Sequence, residues 1–497
     1  MHSHTVRGSS YSVRVTSNTV RDPRRWWILF VLCLALLVLV VDNTVLNLAI
    51  PSLNKEMGAT PSDIQWIIDA YVLAYAGLLL TSGALSDRYG RRRLLVIGLV
   101  FFGGASLLAV LVTEPWQLIA ARALMGVGGS LVMPSTLSIL LTVFDEDERR
   151  KAMAAWSAVA LVGLVSGPTL GGFLLAHYWW GSIFLLNVPI AAVAVVAALV
   201  LMPESRSASR RIDPVGVVLS TAGLTAGVYV IIEREWNIPV IAVAVLALAA
   251  FVVWERRQDQ PMLPLHLFAD RNFGGASFSI LLMSFGAGAV MLMLSQYLQF
   301  VLGYSEIQAG LAMLPYAAAA AVFNGVGAAL GQRVGNRTLV GAGLTLMAGG
   351  FAVMALTTGY GGLLTGLIVM GVGGGLAGPS AYASLMNAIP VEHAGVGSAL
   401  NDTVQQVGVA LSIAVLGSVL AGRYTAEMPA GLPEAARESI GGAHLAGLAE
   451  PANAAFTSAM HLGSWVGAAF CVAAALLAVS VLRPAKPAAD QEPVYSS

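Results

Sequence analysis

Four ionisable side chains interrupt long apolar stretches of this sequence and are candidates for proton chemistry: Asp42, Asp69, Arg122 and Asp402. A charge that faces lipid costs about 3 kcal/mol or more, so all four should face the protein interior. Burial favours the neutral form of a carboxylic acid, whereas a nearby arginine favours its charged form. The residue types therefore predict a site of proton coupling. Asp42 is the first acid, Arg122 is its partner, and Asp69 and Asp402 are further acids.

Three of these side chains are expected at one depth. If the apolar stretches are helices that rise about 1.5 Å per residue, Asp42 lies roughly 12 Å from one membrane boundary, and Asp69 and Arg122 lie roughly 9 Å from that same boundary. Asp402 lies roughly 10 Å from the opposite boundary. An alternative stays open for each charge, which is a polar contact that only holds helices together.

The composition indicates what kind of element positions these charges. The 497 residues are 57% hydrophobic and only 11% charged, whereas a soluble domain has about 25% charged residues. Apolar runs of about 20 residues recur along the chain, and each is long enough to cross a bilayer as a helix. They are too long and too uniformly apolar for barrel strands. The fold class predicted is an all-α protein that crosses the membrane many times.

The run lengths predict fourteen transmembrane helices. Most of the 27 lysines and arginines fall in alternate connections and in the N-terminal tail, for example at Arg91 to Arg93. Basic residues concentrate on the cytoplasmic side of membrane proteins, so both termini should be cytoplasmic. The predicted spans are 26–50, 63–86, 93–113, 116–143, 150–176, 181–202, 213–233, 237–255, 272–301, 306–331, 338–358, 361–389, 395–422 and 456–482.

An internal repeat divides these spans into two halves. MGVGGSLVMPS at Met125–Ser135 closely matches MGVGGGLAGPS at Met370–Ser380. Parallel six-helix halves that enclose a site at the membrane midplane are one transporter architecture. The expected organisation is a cytoplasmic tail at 1–25, an N-terminal six-helix bundle at 26–202, two inserted helices with linkers at 203–271, a C-terminal six-helix bundle at 272–482 with a long outer loop at about 423–455, and a cytoplasmic tail at 483–497.

Four motifs in order resemble those of the major facilitator superfamily, and in particular its fourteen-span drug:proton antiporters. They are VDNTVLNLAIP (Val41–Pro51), GALSDRYGRRRLL (Gly83–Leu95), LIAARALMGVGGS (Leu118–Ser130) and LVGLVSGPTLGG (Leu161–Gly172). The resemblance covers nearly the whole chain. It implies a major-facilitator fold, and an antiporter that exports drugs or antibiotics by alternating access, driven by protons.

The resemblance also assigns roles to two groups of residues. A cytoplasmic gate would be formed by Gly83, Asp87, Arg88, Gly90 and Arg91, although the same residues also suit an ordinary basic loop with tight turns at its glycines. The antiporter motif is formed by Gly163, Gly167, Pro168 and Gly171. Glycines four residues apart let helices pack closely, and proline adds a bend. Ordinary helix packing therefore also explains these residues, and it is compatible with the antiporter role.

Three acids and one base make the predicted cavity negative, which favours cations or amphipathic weak bases as substrates. The candidate lining is Asn43, Asn47, Gln296, Tyr297, Tyr316, Phe323 and Asn324, or these are simply residues of membrane helices. We expect no enzymatic activity, no catalytic or metal site, no cofactor and no nucleic-acid partner. We also expect a monomer in the cell membrane of a bacterium, whose partners are the lipid bilayer, small-molecule substrates and protons.

Two rival functions remain. One is coupled transport of a specific metabolite or lipid-like compound, driven by protons or another cation. The other is a membrane sensor or scaffold that transports nothing. The antiporter motif argues against the first, and the unfavourable free energy of charges within the membrane argues against the second. No phosphate-binding loop with a lysine occurs in the sequence, so ATP is not expected to drive the protein directly.

Overall fold

The computed structural model describes residues 23–206, 213–233, 237–258, 261, 263, 265–388 and 394–482. Most of the predicted N-terminal tail and all of the tail at 483–497 lie outside the described residues, as does 207–212 of the first linker. Helices account for nearly all of the described chain, together with a 3₁₀ turn at Leu265–Ala269 and a π turn at Tyr297–Val301.

The helices are α1 Arg25–Met57, α2 Pro61–Tyr89, α3 Arg91–Leu111, α4 Pro115–Val143, α5 Glu146–His177, α6 Ser182–Leu185, α7 Asn187–Leu201, α8 Pro214–Glu233, α9 Ile238–Arg257, α10 Arg271–Gln296, α11 Glu306–Val334, α12 Asn336–Leu356, α13 Gly359–Asn387, α14 Ala394–Glu427, α15 Glu434–Glu438, α16 Ile440–Leu445 and α17 Ala449–Val481.

Thirteen spans within the described residues are long and apolar enough to cross a membrane. The predicted fifth span coincides with a further long helix, α5. The predicted sixth span is interrupted at Leu186 and forms α6 and α7. The loop expected at about 423–455 is shorter, because α14 and α17 extend into it; residues 428–448 remain between them and include α15 and α16. We call residues 428–448 the cap segment.

Local sequence explains where the long helices begin and end. Thr60 and Asp63 form a reciprocal capping box at the start of α2, which satisfies backbone N–H groups that have no partner within the helix. Ser305 and Gln308 do the same for α11. Gly90 ends α2 with a φ of 116°, a conformation that residues with a β-carbon rarely adopt.

The two halves repeat one packing pattern. In the first half α4 packs between α2 and α3, and in the second half α13 packs between α11 and α12. The inserted pair α8 and α9 packs together, and α8 also contacts α2 of the first half and α14 of the second. The fold is therefore two six-helix bundles with two extra helices, as the sequence predicted.

The halves contact each other at one end of the molecule. We call the end that carries the cap segment the loop end, and the end that carries Arg91, the start of α1 and the end of α17 the tail end. At the loop end a β-carbon on Gly172 of α5 would lie 2.5 Å from the Glu306 carbonyl oxygen of α11. Gln299 Nε2 also donates to the Leu48 carbonyl oxygen of α1, at 3.2 Å. The halves are thus closed against each other at the loop end.

Candidate functional site: a buried ion pair between helices

Asp42 of α1 and Arg122 of α4 form an ion pair inside the first half. Arg122 Nη1 donates to Asp42 Oδ2 at 2.5 Å, and Arg122 Nε donates to the Ile67 carbonyl oxygen at 3.1 Å. The guanidinium carbon lies 4.4 Å from the centroid of the Tyr71 ring, which is a cation–π contact. Asp42 is 4% exposed and Arg122 is 0% exposed.

Asn187 completes the surroundings of the Asp42 carboxylate. Its Nδ2 donates to Asp42 Oδ1 at 2.7 Å and lies 3.3 Å from Ser106 Oγ. Both Asp42 oxygens therefore accept a hydrogen bond, one from α4 and one from the start of α7. The sequence analysis did not select Asn187. Its signal was a lone amide within an otherwise apolar predicted span, where polar side chains tend to be functional.

Protonation of the Asp42 carboxylate would disrupt this ion pair. A proton on Asp42 Oδ2 would replace the hydrogen bond from Arg122 and leave the guanidinium buried without its counter-charge. Removing one partner of a buried pair costs about 3–5 kcal/mol. Arg122 Nη2 already has no hydrogen-bond partner among the described residues. The pair can therefore couple a proton to a rearrangement of α1 against α4.

Asp69 lies on another face of α2. It is 0% exposed, and neither carboxyl oxygen has a hydrogen-bond partner within the described residues. The Tyr71 ring of α2 faces Arg122, and Asp69 lies about 200° from Tyr71 around the helix. Its neighbours one turn earlier, Gln65 and Trp66, contact α14 and α8. Asp69 thus belongs to the seam of α2, α8 and α14 rather than to the ion pair.

Asp402 lies on α14, where the second half meets α2. It is half-buried, and its Oδ1 accepts a hydrogen bond from Asn401 Nδ2 at 3.0 Å. The Tyr75 hydroxyl of α2 is close enough to interact electrostatically with the Asp402 carboxylate. Asp402 therefore occupies the interface of the halves, apart from Asp42 and Arg122.

The predicted gate residues form contacts within the first half. Asp87 Oδ1 accepts hydrogen bonds from Arg91 Nε at 3.0 Å and Nη2 at 2.8 Å. Arg91 Nη1 also reaches the Ser138 carbonyl oxygen of α4, at 3.3 Å. These bonds fix the connection between α2 and α3 against α4 at the tail end. Arg88 is exposed at the same end.

The two gate glycines differ in what they require. A β-carbon on Gly90 would lie 2.6 Å from Glu204 Cδ, and the backbone amide of Arg92 donates to Glu204 Oε1 at 3.1 Å. At Gly83 the nearest atom to a β-carbon would be Pro134 Cβ at 3.8 Å, an ordinary contact. The tight turn expected at both glycines is therefore found at Gly90, because α2 continues straight through Gly83.

The glycines of the antiporter motif pack α5 against α1. β-Carbons on Gly163 and Gly171 would lie 2.7 Å from Val40 Cγ1 and 2.8 Å from Val45 Cγ1 respectively. One on Gly167 would overlap Thr44. On another side of α5, the Pro168 carbonyl oxygen contacts Gly310 of α11. The motif thus forms a close seam of α1, α5 and α11, which joins both halves.

The residues proposed to line a substrate cavity do not form one cluster. Asn43 Nδ2 donates to the Leu39 carbonyl oxygen at 2.9 Å, and its side chain lies near Tyr71, beside the ion pair. Tyr297 is buried, and its hydroxyl accepts a hydrogen bond from the Gly359 amide at 3.0 Å, so it holds the π turn after α10 to the start of α13. Gln296 lines a crevice at the loop end.

The other proposed lining residues are spread over two helices. Asn47 donates to the Asn43 carbonyl oxygen one turn before it on α1, at 3.1 Å. Tyr316 and Phe323 are half-buried on α11, and Asn324 is exposed there. Asn47 therefore lies on a helix of the first half, whereas the other three residues lie on a helix of the second half.

Two six-helix halves with a buried ion pair define a polytopic membrane protein of the transporter class. The model of the Major Facilitator Superfamily matches residues 32–413 and 276–493. The chain belongs to this family.

Curated relatives and one solved structure extend the comparison. The chain is 34% identical to the multidrug efflux pump LfrA of Mycolicibacterium smegmatis, over 87% of this chain and 90% of the relative. It is 37% identical to the cephamycin export protein CmcT of Amycolatopsis lactamdurans, over 86% and 90% respectively. It is 36% identical to the puromycin resistance protein pur8 of Streptomyces alboniger, over 82% and 84%. A bacterial homologue of the human lysosomal transporter Spinster, solved in an inward-facing and occupied conformation, shares the fold with a TM-score of 0.68 and 17% identity, over 92% of this chain and 97% of that one.

Proposed function

We propose that this protein exports hydrophobic or cationic drugs or antibiotics across the cytoplasmic membrane in exchange for protons. The observation that carries the proposal is the buried Asp42–Arg122 ion pair, which joins two helices of one half. Apolar side chains of similar volume could join the same helices without the unfavourable free energy of burying two charges. The names of the relatives support the substrate class, since they include a multidrug efflux pump and two antibiotic resistance or export proteins.

In this mechanism Asp42 carries the proton. When the cavity opens to the side of higher proton concentration, the carboxylate takes a proton on Oδ2 and releases Arg122 Nη1. Arg122 keeps its hydrogen bond to the Ile67 carbonyl oxygen and its contact with Tyr71, so it remains in place. When the cavity opens to the cytoplasm, the proton leaves and the pair forms again. A cationic substrate competes with the proton for the same negative charge.

The orientation and state of assembly belong to the same proposal. The tail end is cytoplasmic, because the basic residues of the connection after α2 lie there. The molecule works as a monomer in a bacterial membrane, and the contacts at the loop end correspond to an export path that is closed toward the outside. Asp69 and Asp402 act as further proton-accepting groups at the seams of α2 and α14.

Drug accumulation in susceptible cells tests the proposal. Cells that express the wild type should retain less of a cationic dye than cells that express Asp42→Asn or Arg122→Ala. The matched control is Asp270→Asn, which neutralises a carboxylate outside the membrane. Asp270 caps α10, and asparagine is an equally good N-cap. Expression level and thermal stability of each purified variant separate loss of transport from loss of folding.

Proton flux in membrane vesicles distinguishes the rival functions. An exporter releases protons from acidified inside-out vesicles when substrate is added, and Asp42→Asn abolishes this response. Proton movement in the same direction as the substrate would instead indicate coupled import. If Asp42→Asn exports as well as wild type with unchanged proton movement, the assignment of Asp42 is wrong.

A further inference from the structure

A crevice at the loop end lies between the halves and beneath the cap segment. Its walls come from the ends of α1 and α2 in the first half, from α10, α14 and α17 in the second half, and from the cap segment itself. None of its lining residues belongs to the Asp42–Arg122 pair or forms a hydrogen bond with it among the described residues. It is thus a separate site on the path between the halves.

The crevice offers hydrogen-bond acceptors that have no partner. Asn54 Oδ1 and Gln65 Oε1 are buried and unpaired within the described residues, and the side chains are 8% and 3% exposed. Gln65 Nε2 donates to the Pro61 carbonyl oxygen at 3.2 Å, which leaves its oxygen as the acceptor. Buried polar atoms normally have partners, so two unpaired acceptors in one crevice indicate a ligand that donates.

The charge and the walls of the crevice narrow the class of ligand. Glu438 of α15 is the charged side chain among the described residues that line it. Tyr424 offers no free donor, since its hydroxyl donates to the Ala436 carbonyl oxygen at 3.0 Å. Leu420 and Phe456 supply apolar surface. Acceptors, one negative charge and apolar walls together suit a cation that has N–H groups and an apolar body.

We propose that this crevice binds an organic ammonium ion, with its N–H groups on Asn54 Oδ1 and Gln65 Oε1 and its charge near Glu438. The inference rests on the proposed export of amphipathic cations and adds a site on the release side. Because both halves form its walls, the site is complete only while the loop end is closed. Parting of the halves there therefore dismantles the site and releases the ligand outward.

Protection of an engineered cysteine tests this site. Ser439 lines the crevice, and Ser439→Cys in a Cys33→Ala/Cys471→Ala background gives one thiol whose labelling by a maleimide can be timed. The full-length purified protein in detergent is titrated with dansylcadaverine, a primary ammonium ion on a flexible apolar dye. We expect saturating dye to slow labelling at least tenfold.

Two further variants and an analogue identify the chemistry. Gln65→Leu and Glu438→Gln should each raise the dye concentration for half-protection about tenfold, which is the loss of about 1.4 kcal/mol of binding free energy. Glu434→Gln, a neighbouring acid outside the crevice, should leave it unchanged. The analogue trimethylated at its terminal amine keeps the charge but has no N–H groups on the cationic nitrogen, so it should protect at least tenfold more weakly.

Three results would overturn the proposal. They are no protection, protection that is unchanged in both crevice variants, and equal protection by the trimethylated dye. The same titration in nanodiscs with phosphatidylethanolamine tests a lipid source of the ammonium group, and competition by that lipid would refute a soluble ligand.

The outcome is separable from that of the proposed function. In the Asp42→Asn variant, dye bound in the crevice should still protect the engineered thiol at position 439, although transport is lost. Intact transport in Asp42→Asn would refute the proton site and leave the result at the crevice standing. Loss of protection in Asp42→Asn would place the dye at the ion pair and refute binding in the crevice.

Discussion

Gly167→Ala is expected to force α5 away from α1. A β-carbon there would lie 2.8 Å from Thr44 Cβ and even closer to Thr44 Oγ1. Rotation of Thr44 can move its hydroxyl but not its Cβ, so the helices must part by about 0.6 Å to reach the 3.4 Å at which ordinary contact begins. Overpacking costs about 1–3 kcal/mol, and alanine regains about 1 kcal/mol of helix propensity over glycine. Since two atoms of Thr44 obstruct the new methyl group, we place the overpacking cost near its upper end, about 3 kcal/mol, and expect a net loss of about 2 kcal/mol.

Unfolding in mixed micelles, titrated with sodium dodecyl sulfate, measures this loss. The matched control is Gly104→Ala on α3, where nothing lies within 4 Å of the added methyl group. That variant should be as stable as wild type or more stable by up to about 1 kcal/mol. The Thr44→Ala/Gly167→Ala double variant removes the hydroxyl from the contact and should recover part of the loss, with an interaction free energy of about 1 kcal/mol. If Gly167→Ala and Gly104→Ala unfold at the same concentration of sodium dodecyl sulfate, close packing is not the reason for glycine at position 167.

Three other substitutions probe the ion pair and the tail-end turn. Arg122→Lys should reduce drug export at least tenfold in the accumulation assay, because one ammonium group cannot replace the several directed N–H donors of a guanidinium. Asn187→Leu removes the donor to Asp42 Oδ1, and since a hydrogen bond to a charged group contributes about 1.5–3 kcal/mol, proton-driven export should fall about tenfold or more in vesicles; an unchanged rate would exclude Asn187 from the site. Gly90→Ala should destabilise the protein by about 1–3 kcal/mol, because alanine rarely adopts the positive φ of this position; unfolding in micelles measures the loss. A Glu204→Ala background should remove the steric overlap with the Glu204 side chain but not the backbone strain.

Sequence predicted the depth of the buried charges but only part of their grouping. The rise per residue placed Asp42, Asp69 and Arg122 at one level, and the structure joins Asp42 to Arg122. Depth says nothing of direction around a helix, and Asp69 faces a different seam. Knowing that Tyr71 faces Arg122 would have been enough to separate Asp69 from the ion pair, since the two positions are about 200° apart around the helix.

Other features depended on contacts that no local pattern encodes. Hydropathy located the long helices, because a bilayer sets their minimum length. It overestimated the loop before α17, since Glu450, Pro451 and Asn453 interrupt the apolar pattern there, yet residues 449–455 form the first turns of the helix. Asn187 was missed because its importance comes from Asp42, which is distant in sequence. The unpaired acceptors Asn54 and Gln65 become meaningful only once the cap segment covers them.

Helix α1 presents the ion pair and the glycine seam on different faces. Asp42 points to α4 and α7, whereas Thr44, about 200° further around the helix, meets Gly167 of α5. Pro168 then contacts Gly310 of the second half. Glycine has no side chain that could move aside at these contacts. If protonation of Asp42 shifts α1 as proposed, the shift should therefore pass directly to α5 and α11. The glycines would then transmit the proton signal as well as seal the loop end. We therefore expect Gly167→Ala to lower the number of drug molecules exported per proton in vesicles, even where its total proton flux is normal or raised. An unchanged ratio would show that the glycine seam has no part in coupling.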